Sequence, residues 1–347
     1  MRIAIVNDLS LAQAVLRRLV ESAPGYVVAW TAADGAEAVR RAATDVPDAI
    51  LMDLVMPVMD GAEATRRIMA ASPCPILIVT SSVGGNYGKV YEALGAGGLD
   101  ATQTPTFGPG GSVQGGQAIL DRLALLAQAK TKLSKSISSQ ERASASPPIS
   151  GSAAQVAPLI AIGASTGGPE AISQVLTSMG PKIPGPVVVI QHIAADFAAG
   201  LASWLQSRTG LAVAVAQEGA EPVAGRVYVA ASNDHLVLRP NRRFAYTADP
   251  RTCPYRPSVD AFFESLAMSW PRPGVAALLT GMGSDGARGL ARLKTLGWHT
   301  IAQDKASCIV YGMPRAAEEL NAAIEILPLI RIGDAAINHL KRSAPQF

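Results

Sequence analysis

The chain has little net charge. Across 347 residues, 30 Lys and Arg face 27 Asp and Glu, leaving +3. It lacks a dense basic stripe, and aromatics make up only 5% of it. A nucleic-acid binder's electrostatic footprint is therefore missing, and no nucleic-acid partner is expected. Cysteine is scarce as well. Cys74, Cys253 and Cys308 are scattered, without the paired spacing of a disulfide framework or a zinc site. Reduced thiols are expected, with Cys74 and Cys308 filling core space as small hydrophobes and Cys253 less defined among its prolines. No apolar run is long enough to cross a bilayer. Met1 leads straight into RIAIVND rather than into a charged segment and a long apolar one. Direct membrane insertion is not expected, and a cytoplasmic location is. No short-period repeat of the solenoid kind is present.

What the chain does have is hydrophobic content, 49% of residues, and a length suited to two domains. From residue 2 to about 128, short β-branched runs (IAIVN, VVAWT, AILMD, PILIVT and a weaker GGLDA) alternate with amphipathic stretches near 11–22, 35–43, 60–71, 86–95 and 114–129. Such a βα repeat predicts a parallel sheet. Residues 129–157 are rich in Ser and Ala, contain adjacent prolines and lack an apolar period, as a solvated linker does. From 158 to 347 the βα pattern resumes, with strands at LIAIG, PVVVIQ, VAVAQ, RVYVAA, HLVLR, VAALLT and HTIAQ. The fold class is therefore α/β, two doubly wound parallel-sheet domains (1–128 and 158–347) joined by a flexible linker.

In the first half, Asp53 ends AILMD, Asp8 follows IAIVN and Thr80 ends PILIVT. Adjacent parallel strands would bring all three to one sheet edge, where clefts form. Paired carboxylates attract Mg²⁺, which bridges to phosphate oxygens. The runs IVND, LMDLVMPVMDG and IVTSS resemble the receiver domain of two-component response regulators. That resemblance implies a flavodoxin-like fold, Asp53 as phosphoacceptor, Asp8 and Asp53 as Mg²⁺ ligands with the backbone of residues 52–55, and Thr80 as the switch hydroxyl. Three positions depart from the receiver pattern. Asn7 replaces the first of two acidic residues, keeping an oxygen ligand but losing a charge. Thr104 stands where a lysine usually precedes the proline, and Ala101 where an aromatic switch residue usually lies.

In the second half, three apolar runs lead to Ser165, His192 and Asp285. A serine hydroxyl needs a positioned base, and the base needs a carboxylate to orient it. His192 is the best placed of four histidines; His235, His299 and His339 are expected to be structural. Asp285 is the first choice of carboxylate, with Asp196 and Asp304 as weaker ones. GASTGGPE gives Ser165 small neighbours, and a helix starting near Gly168 would aim N–H groups at the site. It lacks the spacing of a dinucleotide or phosphate loop. GMGSDGA offers the N–H groups of Met282 and Gly283 as oxyanion donors. The order Ser, His, Asp and the absence of a G-x-S-x-G elbow exclude the α/β-hydrolase pattern.

IGASTGGP, VIQHI and LLTGMGSDGA resemble the catalytic domain of the CheB protein-glutamate methylesterases, over 158 to about 342. The resemblance implies Ser165 as nucleophile, His192 as general base, Asp285 as its orienting carboxylate and Met282 as an oxyanion donor. Thr166 and the YRPSVD segment around Arg256 and Ser258 would lie near the substrate. It further implies methylated glutamates of methyl-accepting chemoreceptor-type proteins as substrates, a CheA-type histidine kinase as phosphodonor, and no cofactor for ester hydrolysis. Some relatives also deamidate receptor glutamine, which the sequence leaves open. MRIAIVND, VYEALGAGGLDATQTP and the absent lysine look more like the Wsp-type methylesterases of surface-sensing pathways than like flagellar-chemotaxis members. The expected regulation is that phosphorylation of Asp53 uncovers the catalytic cleft. A non-enzymatic phosphorylatable adaptor in a receptor-kinase complex is the alternative.

Overall fold

The computed structural model describes residues 1–81, 87–132, 156–251, 253 and 255–342. Most of the expected linker lies outside these residues. The chain divides into two compact units, Met1–Ala143 and Ser144–Phe347.

The first unit runs β1 (Arg2–Val6), α1 (Ser10–Ser22), β2 (Val27–Ala32), α2 (Gly35–Thr44), β3 (Ala49–Met52), α3 (Gly61–Ala71), β4 (Ile76–Thr80), α4 (Tyr87–Gly95) and β5 (Asp100–Gln103). A small antiparallel hairpin, β6 (Thr106–Phe107) and β7 (Val113–Gln114), precedes α5 (Gln117–Lys132). The sheet order is β2-β1-β3-β4-β5, all parallel. The same tetrad, Asp-Gly-Ala-Glu, starts α2 and α3. Asp34 and Asp60 cap by accepting the N–H of Glu37 and Glu63. Gly61 is required where α3 begins, because a Cβ there would lie 1.9 Å from the Asp53 carbonyl oxygen. The close approach holds the loop after β3 against the helix. On one face of the sheet, Ile3, Ile5, Leu51, Leu77 and Val79 pack with Leu16, Leu19, Ile119 and Leu123.

The second unit runs β8 (Ile160–Ala164), α6 (Gly168–Met179), β9 (Val187–Gln191), α7 (Ala195–Thr209), β10 (Ala212–Val215), β11 (Arg226–Val229), β12 (His235–Leu238), β13 (Phe244–Thr247), α8 (Val259–Ser269), β14 (Val275–Leu278), α9 (Ala287–Thr295), β15 (His299–Gln303), α10 (Met313–Glu319), β16 (Glu325–Leu327) and α11 (Leu329–Arg342). The main sheet has the order β10-β11-β9-β8-β14-β15-β16. Its central strands are fully buried, as expected for apolar runs covered on both faces.

Two features of this second unit depart from the sequence expectation. HLVLR does not join the main sheet; β12 pairs antiparallel with β13, a strand not anticipated, and the hairpin packs on α8 through Leu236, Leu238 and Phe244. The edge strand β16 was also not anticipated, being only three residues long.

In both sheets the strand order reverses beside the first strand, between β1 and β3 and between β8 and β14. Such switch points open a crevice at the carboxyl ends of the strands, and both clusters of chemically active residues lie there.

Candidate active site and phosphoacceptor pocket

Ser165 follows β8 and His192 follows β9. Ala164 and Gln191 are register partners, and the His192 N–H donates to the Ala164 carbonyl at 3.1 Å, so the ladder carries the two residues out side by side. Asp285 does not end its strand. It lies in the loop after β14, just before Gly286 and α9. That loop folds back onto the serine: the Ser165 N–H donates to the Thr280 carbonyl at 3.1 Å, and the Thr280 hydroxyl donates to the Thr166 carbonyl at 3.0 Å. Gly281 makes this possible, since a Cβ there would lie 2.7 Å from the Ser165 Cβ. From the other side, the Gln191 amide donates to the Ser165 carbonyl at 2.8 Å.

His192 Nε2 and Asp285 Oδ2 are 2.7 Å apart. His192 Nδ1 is buried and makes no hydrogen bond among the described residues. Tyr255 stacks on the imidazole, with centroids 4.6 Å apart and planes 5° from parallel. Three further donors reach Asp285: the Ser258 hydroxyl at 2.8 Å and the N–H groups of Val259 and Asp260 at 2.7 and 3.1 Å. The carboxylate therefore sits at the amino end of α8, where the helix dipole favours negative charge. Burial pushes the Asp285 pKa up. The hydrogen bond and charge of His192, the Val259 N–H and the Ser258 hydroxyl outweigh it, and the carboxyl stays below its ordinary value.

The N–H groups of Thr166, Met282 and Gly283 donate to nothing among the described residues. They lie in the two turns that flank Ser165. Arg256 is exposed, with Nη2 3.3 Å from the Arg251 carbonyl, and makes no hydrogen bond to Ser165, His192 or Asp285 among the described residues. Ser258, expected near substrate, is buried behind Asp285 instead. Its role was missed, although Ser followed by Val-Asp-Ala at the start of an apolar stretch is an N-cap signal. Tyr255 carried no comparable signal. The weaker carboxylate candidates lie elsewhere: Asp196 is exposed in the first turn of α7, and Asp304 accepts from the Ser307 N–H and hydroxyl at 2.9 and 2.6 Å.

Among the other histidines, His235 is fully buried beside this site. His299 and His339 stack at 4.3 Å, and His299 opens β15 at the opposite end of the sheet from the triad. Cys74 is buried as expected. Cys308 is only half-buried, and burial with the nearby Asp304 charge pushes its thiol up to about 12.

In the first unit, Asp53 follows β3, Asp8 follows β1 and Thr80 ends β4, so one sheet edge carries all three. Asp53 is 6% exposed and Thr80 is 1% exposed, whereas Asp8 is open to solvent. Asp53 Oδ1 accepts the Leu54 N–H at 2.7 Å, and Asp53 Oδ2 accepts from Asn7 Nδ2 at 3.1 Å. The Leu9 N–H donates to Asn7 Oδ1 at 2.9 Å, which fixes the amide and points its NH₂ at Asp53. Asn7 therefore presents a donor here, not the oxygen ligand expected from the sequence. Burial drives the Asp53 carboxyl up to about 6; the Leu54 N–H pulls it back, the Asp8 charge adds to the rise, and Val55 opposes it. Oxygen donors that disfavour their own ionisation suit a hard divalent cation, which would relieve both burial and repulsion. Thr104 follows β5, its N–H on the Thr80 carbonyl at 3.1 Å and its buried hydroxyl without a partner among the described residues.

The two units define a class: a response-regulator receiver and a carboxylic ester hydrolase on one chain. Comparison with known proteins names the family. The CheB methylesterase family matches residues 160–336, and the response regulator receiver domain matches residues 3–101. The chain is 47% identical to protein-glutamate methylesterase/protein-glutamine glutaminase 4 of Burkholderia thailandensis, over 99% of this chain and 98% of that protein. It is 48% identical to the enzyme of that name from Mesorhizobium japonicum, over 99% and 100%. A Pseudomonas putida relative named for a group 3 operon is 46% identical over 96% and 97%. Among solved structures, the catalytic domain of Thermotoga maritima CheB methylesterase is 33% identical with a TM-score of 0.51, covering 53% of this chain and 98% of that one. The chain belongs to the CheB methylesterase family. Among the described residues, no helix is long and apolar enough to cross a membrane.

Proposed function

We propose that this chain removes methyl esters from glutamate side chains of chemoreceptor-type proteins, under control of phosphorylation at Asp53. The observation that carries the reading is the orientation of His192: Asp285 holds Nε2, and the buried Nδ1 is left for the serine. Parallel strands run about 4.8 Å apart, so neighbouring side chains at matching positions meet through their nearest atoms. Ser165 and His192 continue matching positions of β8 and β9, and Nδ1 is the ring nitrogen that Asp285 does not hold.

Nδ1 takes the Ser165 proton as Oγ attacks the γ-ester carbonyl carbon. The tetrahedral oxyanion is stabilised by N–H groups from Thr166, Met282 and Gly283, donors of the kind whose individual loss costs about 10²- to 10³-fold in rate. Imidazolium then returns the proton to the departing methoxide, and methanol leaves. Water, deprotonated by the same Nδ1, hydrolyses the acyl-enzyme and frees glutamate and serine. Replacement of the methoxy group by an amino group gives glutamine deamidation by the same path, with ammonia leaving.

In the receiver, Asp8, Asp53 and a backbone carbonyl within residues 52–55 would hold Mg²⁺, which when bound neutralises charge around the phosphoryl group. The Asp53 carboxylate is the phosphoacceptor and Thr80 the switch hydroxyl. A CheA-type histidine kinase supplies the phosphoryl group. Residues 129–157 tether the receiver (1–128) to the esterase (158–347). The motifs quoted above support a place among the Wsp-type members.

The test is methanol release from methylated receptor membranes. Wild type should release it and Ser165→Ala should not. Unchanged release by Ser165→Ala would overturn the reading.

A further inference from the structure

His235 is fully buried and takes no part in the chemistry just described. Its two ring nitrogens engage opposite ends of a single loop. The Ser258 N–H donates to His235 Nδ1 at 3.1 Å. A main-chain N–H can only donate, so Nδ1 is an acceptor and the ring proton is on Nε2. Nε2 lies 3.3 Å from the Pro250 carbonyl and donates to it. The loop from Pro250 to Ser258 is thereby closed on one neutral imidazole. It carries Tyr255, which stacks on His192, and ends at Ser258, whose hydroxyl donates to Asp285. The chain of contacts His235, Ser258, Asp285, His192 is continuous, at 3.1, 2.8 and 2.7 Å, and His235 anchors its buried end.

We propose that His235 is a positioning residue for ester hydrolysis: as a neutral imidazole it clamps the Pro250–Ser258 loop and so holds the Asp285–His192 pair in register with Ser165. The sequence assigned His235 no more than a structural place at the start of a strand. The geometry gives it a specific requirement, an acceptor at the position of Nδ1. Without that acceptor the Ser258 N–H is buried and unpaired, and the amino end of α8 is free to shift. Both oxygens of Asp285 are held from that end, by the Ser258 hydroxyl and the N–H groups of Val259 and Asp260. Losing a buried acceptor leaves its partner's desolvation uncompensated, and a carboxylate that has to be fixed before the serine is activated is then misplaced. The hydroxyl of Ser258 also accepts the Ala261 N–H at 3.2 Å, so the same residue caps α8. A displacement of Ser258 therefore moves the cap and the carboxylate together.

The proposal rests on the methylesterase reading, and the test separates the two. Full-length His235→Leu and His235→Asn are compared with wild type in the methanol-release assay, with folding checked by thermal unfolding. Asn presents an amide oxygen close to where Nδ1 stood; Leu presents none. His235→Leu should lose about tenfold or more in kcat with little change in KM, and His235→Asn should recover most of the loss. In proton NMR, the downfield signal of the His192 ring proton shared with Asp285 should be present in wild type and His235→Asn and lost in His235→Leu. Folded variants with equal kcat, or equal losses in both, would overturn the clamp. If His235→Leu does not fold, ¹⁵N shifts of wild-type histidine decide: a proton on Nε2 of His235 supports the clamp, and one on Nδ1 overturns it. Absence of methanol release by wild type would instead strike the methylesterase reading itself.

Discussion

Asp285 and Asp53 stand at matching places, each in the loop beyond a strand that borders the switch point of a doubly wound sheet, yet their environments push them in opposite directions. Asp285 receives the His192 ring, a hydroxyl and two main-chain N–H groups at a helix start, and its carboxyl is held below the ordinary range. Asp53 has an amide NH₂ and the adjacent N–H of Leu54, with Asp8 close enough to repel, and it rises to about 6. Topology puts a carboxylate at a crevice; local donors decide whether it is finished. The esterase carboxylate is satisfied by its own chain. The receiver carboxylate is left short of positive charge, a condition that a divalent cation meets.

The largest expected effect breaks the finished side of that comparison. Asp285→Asn cannot accept from all four donors or stabilise the His192 imidazolium, and kcat for methanol release should fall by about 10⁴-fold, as loss of an orienting aspartate does in serine proteases. A fall of less than tenfold would show that His192 is oriented by something else.

On the unfinished side the sign reverses. A carboxyl raised from 3.8 to about 6 holds its proton more tightly in the folded state, so ionising it opposes folding. The receiver should lose stability as pH rises from about 4 to about 6, by roughly 2–3 kcal/mol in all. Asp53→Asn should therefore raise receiver stability at neutral pH in thermal unfolding, and Mg²⁺ should stabilise wild type more than the variant. No gain in the variant, or an equal Mg²⁺ response, would contradict the pocket described here.

A smaller effect separates the two units by pH. Burial, the neighbouring His299 and the Arg342 charge lower His339 to about 4, against the pull of Glu325, and burial lowers His299 despite Glu325. Unfolded imidazoles take up protons below about 6.5 while these resist, so the esterase unit should lose stability as pH falls from 6.5 toward 4. Hydrogen exchange on the full chain, read separately over each unit, should show the receiver protected and the esterase loosened over that interval. Parallel changes in both would refute the assignment.

Much of this was legible because the decisive residues end apolar runs. Ser165, His192, Asp53 and Thr80 sit at or just beyond strand ends, where parallel topology alone brings them together. The helices expected near 35–43 and 60–71 were equally legible, and begin at Gly35 and Gly61. Contributions that depend on a loop returning from afar were not legible. Ser258 meets Asp285 across 27 residues, and Tyr255 reaches His192 across more than twice that separation. His235 looked like the first residue of a sheet strand because nothing local shows that β12 leaves the main sheet to pair with β13. The orientation of Asn7 depends on one main-chain N–H at Leu9, which no sequence pattern signals.

The central claim is that the esterase site is built in advance while the receiver pocket waits for charge and phosphate. The most direct test is the rate of methanol release by the full chain with and without a small phosphodonor and Mg²⁺, in wild type and Asp53→Ala. The account predicts a basal rate in both proteins and stimulation in wild type alone. Stimulation that survives in Asp53→Ala, or a wild type with no basal rate, would contradict it.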